Sequence, residues 1–315
     1  MPGNTIDFRN VSKFYGEVLG VNKVNLEVAP GLTGLVGPNG SGKSTLMHLM
    51  TGLLRPGRGE VSVLGVSPDC PEELFRLVGY CTQYDNFPNG STGLSFLRFA
   101  LALHGYSKSE VDERAWAALT RVGLTDAATR RIAGYSKGMR QRIKLAQALI
   151  HEPELLVLDE PLSGMDPVGR RRTIDLVREW GEAKGTVLVS SHILHEVDVI
   201  SDGVIMIHGG AIVAEGEIRA VRGEITSHPI QVLIRCDRPH IVASRVFELE
   251  HIVEARIVGD EGLLIRTRNA SDFFTQFNRI VIDTGVIVET VAPADESVHA
   301  VYDYLIGEGL GGGSA

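Results

Sequence analysis

The chain has 315 residues, with 31 Lys and Arg against 39 Asp and Glu for a formal net charge of −8; 43% of residues are hydrophobic and 22% charged. That mix excludes wholesale disorder, the length points to about two domains, and the acidic balance argues against wide contact with nucleic-acid backbone. Cys70, Cys81 and Cys236 are far apart and odd in number, which leaves no disulfide framework or CxxC metal site and fits a reducing compartment.

The first residues, MPGNTIDFRN, lack the apolar core of a signal peptide, and no run approaches the ~18 apolar residues that span a bilayer. Any membrane role is therefore expected to come from a partner. Apolar runs at Val24–Val28, Leu32–Val36, Val61–Leu64, Val78–Cys81, Leu155–Leu158, Val187–Val189 and Val204–Ile207 read as strands. Helical patterns lie between them at Lys43–Thr51, Leu94–Leu103, Glu110–Val122, Met139–Ile150 and Val168–Ala183. This alternation predicts an α/β domain with a largely parallel sheet over residues 1–222. Residues 223–306 read differently. A strand (Ile230–Cys236), a helix (His240–Glu248), two strands (Ile252–Ile257, Leu263–Thr267), a helix (Ser271–Asp283) and a strand (Val286–Val291) follow one another. That order, β-α-β-β-α-β, predicts a small α+β domain of the ferredoxin-like kind. Phe273, Phe274 and Phe277 recur at helical spacing and are expected to be core rather than a ligand site. A last helix is expected at Glu296–Ile306, and the tail, 307–315, is expected to be flexible.

Chemistry begins at Gly37-Pro38-Asn39-Gly40-Ser41-Gly42-Lys43-Ser44-Thr45, which matches G-x-x-x-x-G-K-[ST]. A strand precedes it and a helix follows, a context that a chance glycine turn would lack. Glycines let successive backbone N–H groups turn onto an anion, and the helix N-terminus adds positive potential. Lys43 is expected on the β- and γ-phosphates of a nucleotide, and Ser44 on Mg²⁺. Leu155–Leu158 then reads as a strand buried on both faces that ends in Asp159 and Glu160, at the edge where open α/β sheets bind ligands. Asp159 is assigned to Mg²⁺, and Glu160 to orienting and deprotonating the attacking water. His192 and Gln83 each follow a strand. The first suits a hydrogen bond to the γ-phosphate, the second a contact with Mg²⁺ or water; a structural His and a surface Gln are the plain alternatives.

Tyr135-Ser136-Lys137-Gly138-Met139-Arg140-Gln141 heads an amphipathic helix shortly before the acidic strand. Together with the motifs above it resembles the signature, usually LSGGQ, of the nucleotide-binding subunits of ATP-binding-cassette (ABC) transporters. The likeness covers residues 5–220. Ser136 and Gly138 match the signature; Lys137 replaces a glycine and Met139 a glutamine. The YSKGM form is similar to that of exporter subunits for lipids, drugs, polysaccharides or antibiotics. The resemblance implies that Tyr15 stacks on adenine and that Ser136 and Gly138 meet the γ-phosphate held by an opposite protomer. Asp166 then lies in a D-loop, Ser163-Gly164-Met165-Asp166, with Gly and Met replacing the usual Ala and Leu, and links the two sites. It implies ATP and Mg²⁺ as cofactors, a second ABC subunit closing head to tail, and a membrane-spanning permease subunit docked near Tyr84–Gly90. The chain would then lie peripherally on the cytoplasmic face of the membrane, without a nucleic-acid partner. A soluble ABC-type ATPase of DNA repair or translation is the alternative. Against it stand only 116 positions between Lys43 and Asp159, a single cassette and no zinc cysteines. A GTPase would need an N-K-x-D base reader after the phosphate loop; Asn22-Lys23-Val24-Asn25 precedes it and lacks the Asp.

Overall fold

The computed structural model describes residues 5–218 and 230–293. Its contacts divide the chain into two compact units, Met1–Glu217 and Ile218–Ala315.

The first unit holds two sheets. Ile6–Tyr15 (β1) pairs antiparallel with Val18–Val28 (β2) on one side and Arg58–Val63 (β4) on the other. Val24–Val28 and Val61–Leu64 thus fall in an antiparallel sheet, outside the parallel one that the alternation predicts. β1 is not legible as a strand because its alternation breaks: Asn10 is left-handed at φ 51°, the register slips between Phe8 and Val11, and Val11 and Ser12 are both buried.

The second sheet has six strands in the order β5-β6-β7-β3-β8-β9. Val78–Cys81 (β5), Leu155–Leu158 (β6), Thr186–Ser191 (β7), Leu32–Val36 (β3) and Gly203–His208 (β8) run parallel; Ala211–Glu217 (β9) closes the edge antiparallel to β8. Every residue of β6 and β7 is buried. Leu156, Leu158, Val187 and Val189 face one core; Leu155, Val157 and Leu188 face another, as the alternation of side chains across a strand requires. The first core is closed by Gly93–Leu103 (α3), Lys108–Arg121 (α4), Lys137–Leu149 (α5) and Pro167–Lys184 (α6). The second is closed by Lys43–Met50 (α1) and the antiparallel sheet. These five helices begin and end within two residues of the predicted bounds. Polar caps mark the starts of four of them, the Thr92–Ser95 and Ser107–Glu110 capping boxes, Ser136 and Asp166, and the glycine turn at Gly42 marks that of α1. Two short helices, Pro71–Leu77 (α2) and Leu194–Ile200 (α7), were not predicted; each is seven residues, too short for a clear period.

In the second unit, Ile230–Cys236 (β10), Ile252–Val258 (β11), Gly262–Thr267 (β12) and Val288–Pro293 (β13) form an antiparallel sheet in the order β11-β12-β10-β13. With Pro239–Val246 (α8) and Ala270–Thr284 (α9) between them, this is the split βαβ arrangement. Phe273 and Phe277 lie in its core with Val232, Ile234 and Val242; Phe274, one residue off the buried stripe, is 38% exposed. The expected helix at 296–306 and the tail at 307–315 lie outside the described residues.

Candidate functional site

A cleft of about 450 Å³ opens where β3 passes into α1, lined by Tyr15, Asn39–Thr45, Gln83, Tyr84, Asp159 and Glu160, with Val18, Leu19 and Gly20. The loop between β3 and α1 turns on Gly42, which is left-handed at φ 107°. A Cβ there would also lie 2.6 Å from the Gly20 carbonyl oxygen, so no other residue fits without moving backbone. Lys43 is buried and folds back over the loop. Its Nζ donates to the carbonyls of Gly37 (2.6 Å) and Pro38 (3.1 Å) and lies 3.9 Å from Glu160 Oε1. Burial pulls its pKa down, and the two acids pull it back up.

The acids are held by a chain of hydrogen bonds. Ser44 Oγ donates to Asp159 Oδ2 (2.9 Å), and Ser190 Oγ, fully buried in β7, donates to Asp159 Oδ1 (2.8 Å). The same Ser190 oxygen accepts the Glu160 backbone N–H (2.9 Å), and the Asp159 N–H donates to the Cys81 carbonyl (2.9 Å), extending the β5–β6 ladder by one residue. Glu160 is left-handed at φ 51°, a strained conformation for a non-glycine residue, which turns its carboxylate away from the strand line. Its Oε2 lies 2.9 Å from His192 Nδ1. Burial is the main influence on Glu160 and pushes its pKa up; His192 and Lys43 oppose it. Tyr15 stands at the mouth with its ring half-exposed and its Oη 3.4 Å from Thr45 Oγ1.

The structure therefore brings Tyr15, Asn39, Gly40, Ser41, Gly42, Lys43, Ser44, Thr45, Gln83, Asp159 and Glu160 together, with Gly37 beneath Lys43 and His192 against Glu160. Ser136, Gly138 and Asp166 do not line this cleft. Ser136 caps α5 by accepting the Met139 N–H (3.3 Å); Asp166 caps α6 by accepting the Gly169 N–H (2.8 Å), and that bond holds its carboxyl below the usual range. The first turn of α5 carries no acid, so the positive end of the helix is uncompensated.

Two residues of the site were missed in the sequence. Ser190 bridges both acids, and its only signal was its place beside His192 in Val189-Ser190-Ser191-His192. Lys144, buried in α5, donates to the carbonyls of Thr82 (2.9 Å) and Gln83 (2.9 Å) and pairs with Asp85 at 3.2 Å, pinning the segment that carries Gln83. Its spacing from the signature gave no hint of that contact.

Comparison with known proteins agrees with this geometry. Residues 21–163 match the ABC transporter family. The chain is 32% identical over 311 residues to the bacitracin transport ATP-binding protein BcrA of Enterococcus faecalis, covering 96% of this chain and 97% of that one. It is 42% identical over 189 residues to the uncharacterized ABC transporter ATP-binding protein YxlF of Bacillus subtilis, covering 60% of this chain and 62% of that relative's length. A solved ATP-binding subunit of an ABC transporter superposes with a TM-score of 0.64 at 29% identity, over 70% of this chain and 93% of that one. The phosphate loop, the paired acids and a likeness to BcrA along almost the whole of both chains lead to one identification: this chain belongs to the ABC transporter family, as one of its ATP-binding ATPase subunits.

Proposed function

We propose that this subunit powers export through a separate membrane-spanning permease, with two copies closing head to tail around two ATP molecules. The observation that carries the reading is the hydrogen-bonded run from Ser44 through Asp159, Ser190 and Glu160 to His192 at the mouth of the Lys43 cradle. The names of relatives favour transport over a soluble role in DNA repair or translation: BcrA for bacitracin, and at 33% identity the daunorubicin/doxorubicin resistance protein DrrA of Streptomyces peucetius. Among the described residues no helix is long and apolar enough to cross a membrane, so a permease partner would supply the passage.

In this reading Lys43 exchanges its loop carbonyls for the β- and γ-phosphates, and the N–H groups of residues 39–45 cradle them. Tyr15 offers its ring to adenine. Ser44 and Asp159, hard oxygen donors joined at 2.9 Å with Gln83 on the same cleft, suit Mg²⁺. Held there by Ser44 and Asp159, with Gln83 nearby, Mg²⁺ would supply positive charge that offsets the negative charge developing on the phosphates. Glu160, made more basic by burial, accepts the proton of the attacking water. His192 fixes the Glu160 carboxylate and reaches toward the γ-phosphate. Ser136 and Gly138 meet the nucleotide of the other copy, and Asp166 lies between the two sites. We assign ATP binding to residues 1–222 and an accessory role to 223–306, on the cytoplasmic face of the membrane.

Glu160→Gln keeps the shape of the side chain and removes the base. It is expected to lower turnover about 10²-fold or more while ATP affinity holds, and to trap an ATP-dependent dimer visible by light scattering. Rapid hydrolysis by that variant would remove the assigned base.

A further inference from the structure

The signature and the D-loop each depart from the usual family residue, and the structure puts the two departures in contact. Lys137, where the signature usually has glycine, lays its side chain across Gly164, where the D-loop usually has alanine. A Cβ on Gly164 would lie 2.3 Å from Lys137 Cδ, 2.4 Å from Cε and 2.6 Å from Nζ. No Cβ survives such distances, so Lys137 keeps this path only because residue 164 is glycine. The ammonium donates to Ser163 Oγ at 3.4 Å, and the Ser163 N–H in turn donates to the Glu160 carbonyl at 3.2 Å. Beside it Gly138 packs on Met165: a Cβ there would sit 3.9 Å from Met165 Cα, ordinary contact. A continuous path therefore runs from Glu160, the assigned base, through the turn at Ser163 and Gly164, to the residue that follows the Ser136 cap.

The charge of Lys137 sharpens the point. A cation at the first position of α5 opposes the helix dipole, and no acid in that turn offsets it. Local rules are broken in this way where function compensates.

We propose that Lys137 is a positioning residue that ties the turn after Glu160 to the head of the signature helix, and that Gly164 is the residue that makes room for it. The proposal rests on the ATPase reading above. In each protomer, loss of the γ-phosphate at its own Glu160 then shifts the helix head presented to the other protomer's nucleotide. Lys137 does not line its own cleft, so its effect belongs in kcat and in cooperativity between sites.

The test is a double-mutant cycle on the full chain, with Mg²⁺-ATP as the substrate. Gly164→Ala displaces only the flexible end of a lysine, but it also strains a backbone at φ 69°. Repeating it in Lys137→Gly separates the two effects. With Lys137 present, Gly164→Ala is expected to lower kcat about fivefold or more and to lower the Hill coefficient, with KM within about twofold; in Lys137→Gly the same change costs less than about twofold. Lys137→Met, which keeps the stem and loses the ammonium, is expected to fall between wild type and Lys137→Gly. Equal factors in both backgrounds overturn the proposal while leaving the ATPase reading intact. A wild-type chain without turnover dependent on Lys43 overturns that reading, and the proposal with it.

Discussion

Ser190 shows how a residue with no motif of its own can organise a site. One hydroxyl donates to Asp159 and accepts from the Glu160 backbone, so it fixes both acids against β7. Ser190→Ala leaves a buried N–H and a buried carboxylate oxygen short of a partner. The expected cost is about 1–3 kcal/mol in denaturant unfolding. ATPase kcat is also expected to fall about tenfold, as Glu160 loses its fixed direction. Unchanged stability would mean that the bridge is dispensable. Glu160 itself carries a sign that solution measurements can read. Its pKa is raised by burial, so the folded chain holds that proton more tightly than the unfolded one. The stability linked to this is complete below the ordinary carboxylate value of 4.5 and is lost as pH rises through the raised value. Glu160→Gln, uncharged throughout, is therefore expected to raise the thermal midpoint more at about pH 8 than at about pH 5. An equal rise at both would contradict the buried-charge account.

At the scale of elements, the end of α5 is the acid-sensitive joint. His151 follows the helix, its ring stacks on His104 (4.0 Å between centroids, 12° between planes), and its Nε2–H donates to the Val78 carbonyl on β5 at 3.2 Å. Burial, with repulsion from His104 behind it, pushes its pKa down from 6.5 to about 4. The contribution is whole above pH 6.5 and is lost as pH falls through about 4, since the unfolded chain then takes the proton first. His151→Phe keeps the stacked ring and removes the titration. The stability gap between wild type and variant is expected to shift by about 3 kcal/mol in the variant's favour on going from neutral pH to below about pH 4, read from denaturant midpoints. A gap that does not move with pH would place the titration elsewhere. The elements themselves were unequally legible. β6 is apolar throughout and α5 and α6 have polar caps, so pattern and packing agree. β1 was hidden by the bulge at Asn10, which breaks the period that marks a strand.

At the scale of the molecule, the decisive feature is that Ser136 and Gly138 do not line the cleft that holds Lys43 and Glu160. If sites are shared between copies, two different lesions complement each other. Chains carrying Lys43→Ala and chains carrying Ser136→Arg are each expected to be inactive alone. Mixed in equal amounts, half of the dimers are hetero-dimers and each of these has one intact site, so about a quarter of the wild-type sites return. No recovery on mixing, with dimers present, would show that each chain works by itself.

The linear sequence determined the phosphate loop, the acids at the end of a doubly buried strand and the helices around them. Each of these is a short contiguous pattern whose chemistry is local: glycines that turn, a run of apolar residues, a cap before a helix. The strand–helix order of residues 230–293 was likewise legible, because loop signals separate its elements. Only tertiary structure decided what depends on neighbours distant in the chain. It moved Val24–Val28 and Val61–Leu64 into a separate antiparallel sheet, seated Ser190 between Asp159 and Glu160, and used Lys144 to pin Gln83. It also laid Lys137 over Gly164, 27 positions further along. Hydrogen bonds and steric fits of that kind act across space, and no periodicity along the chain records them.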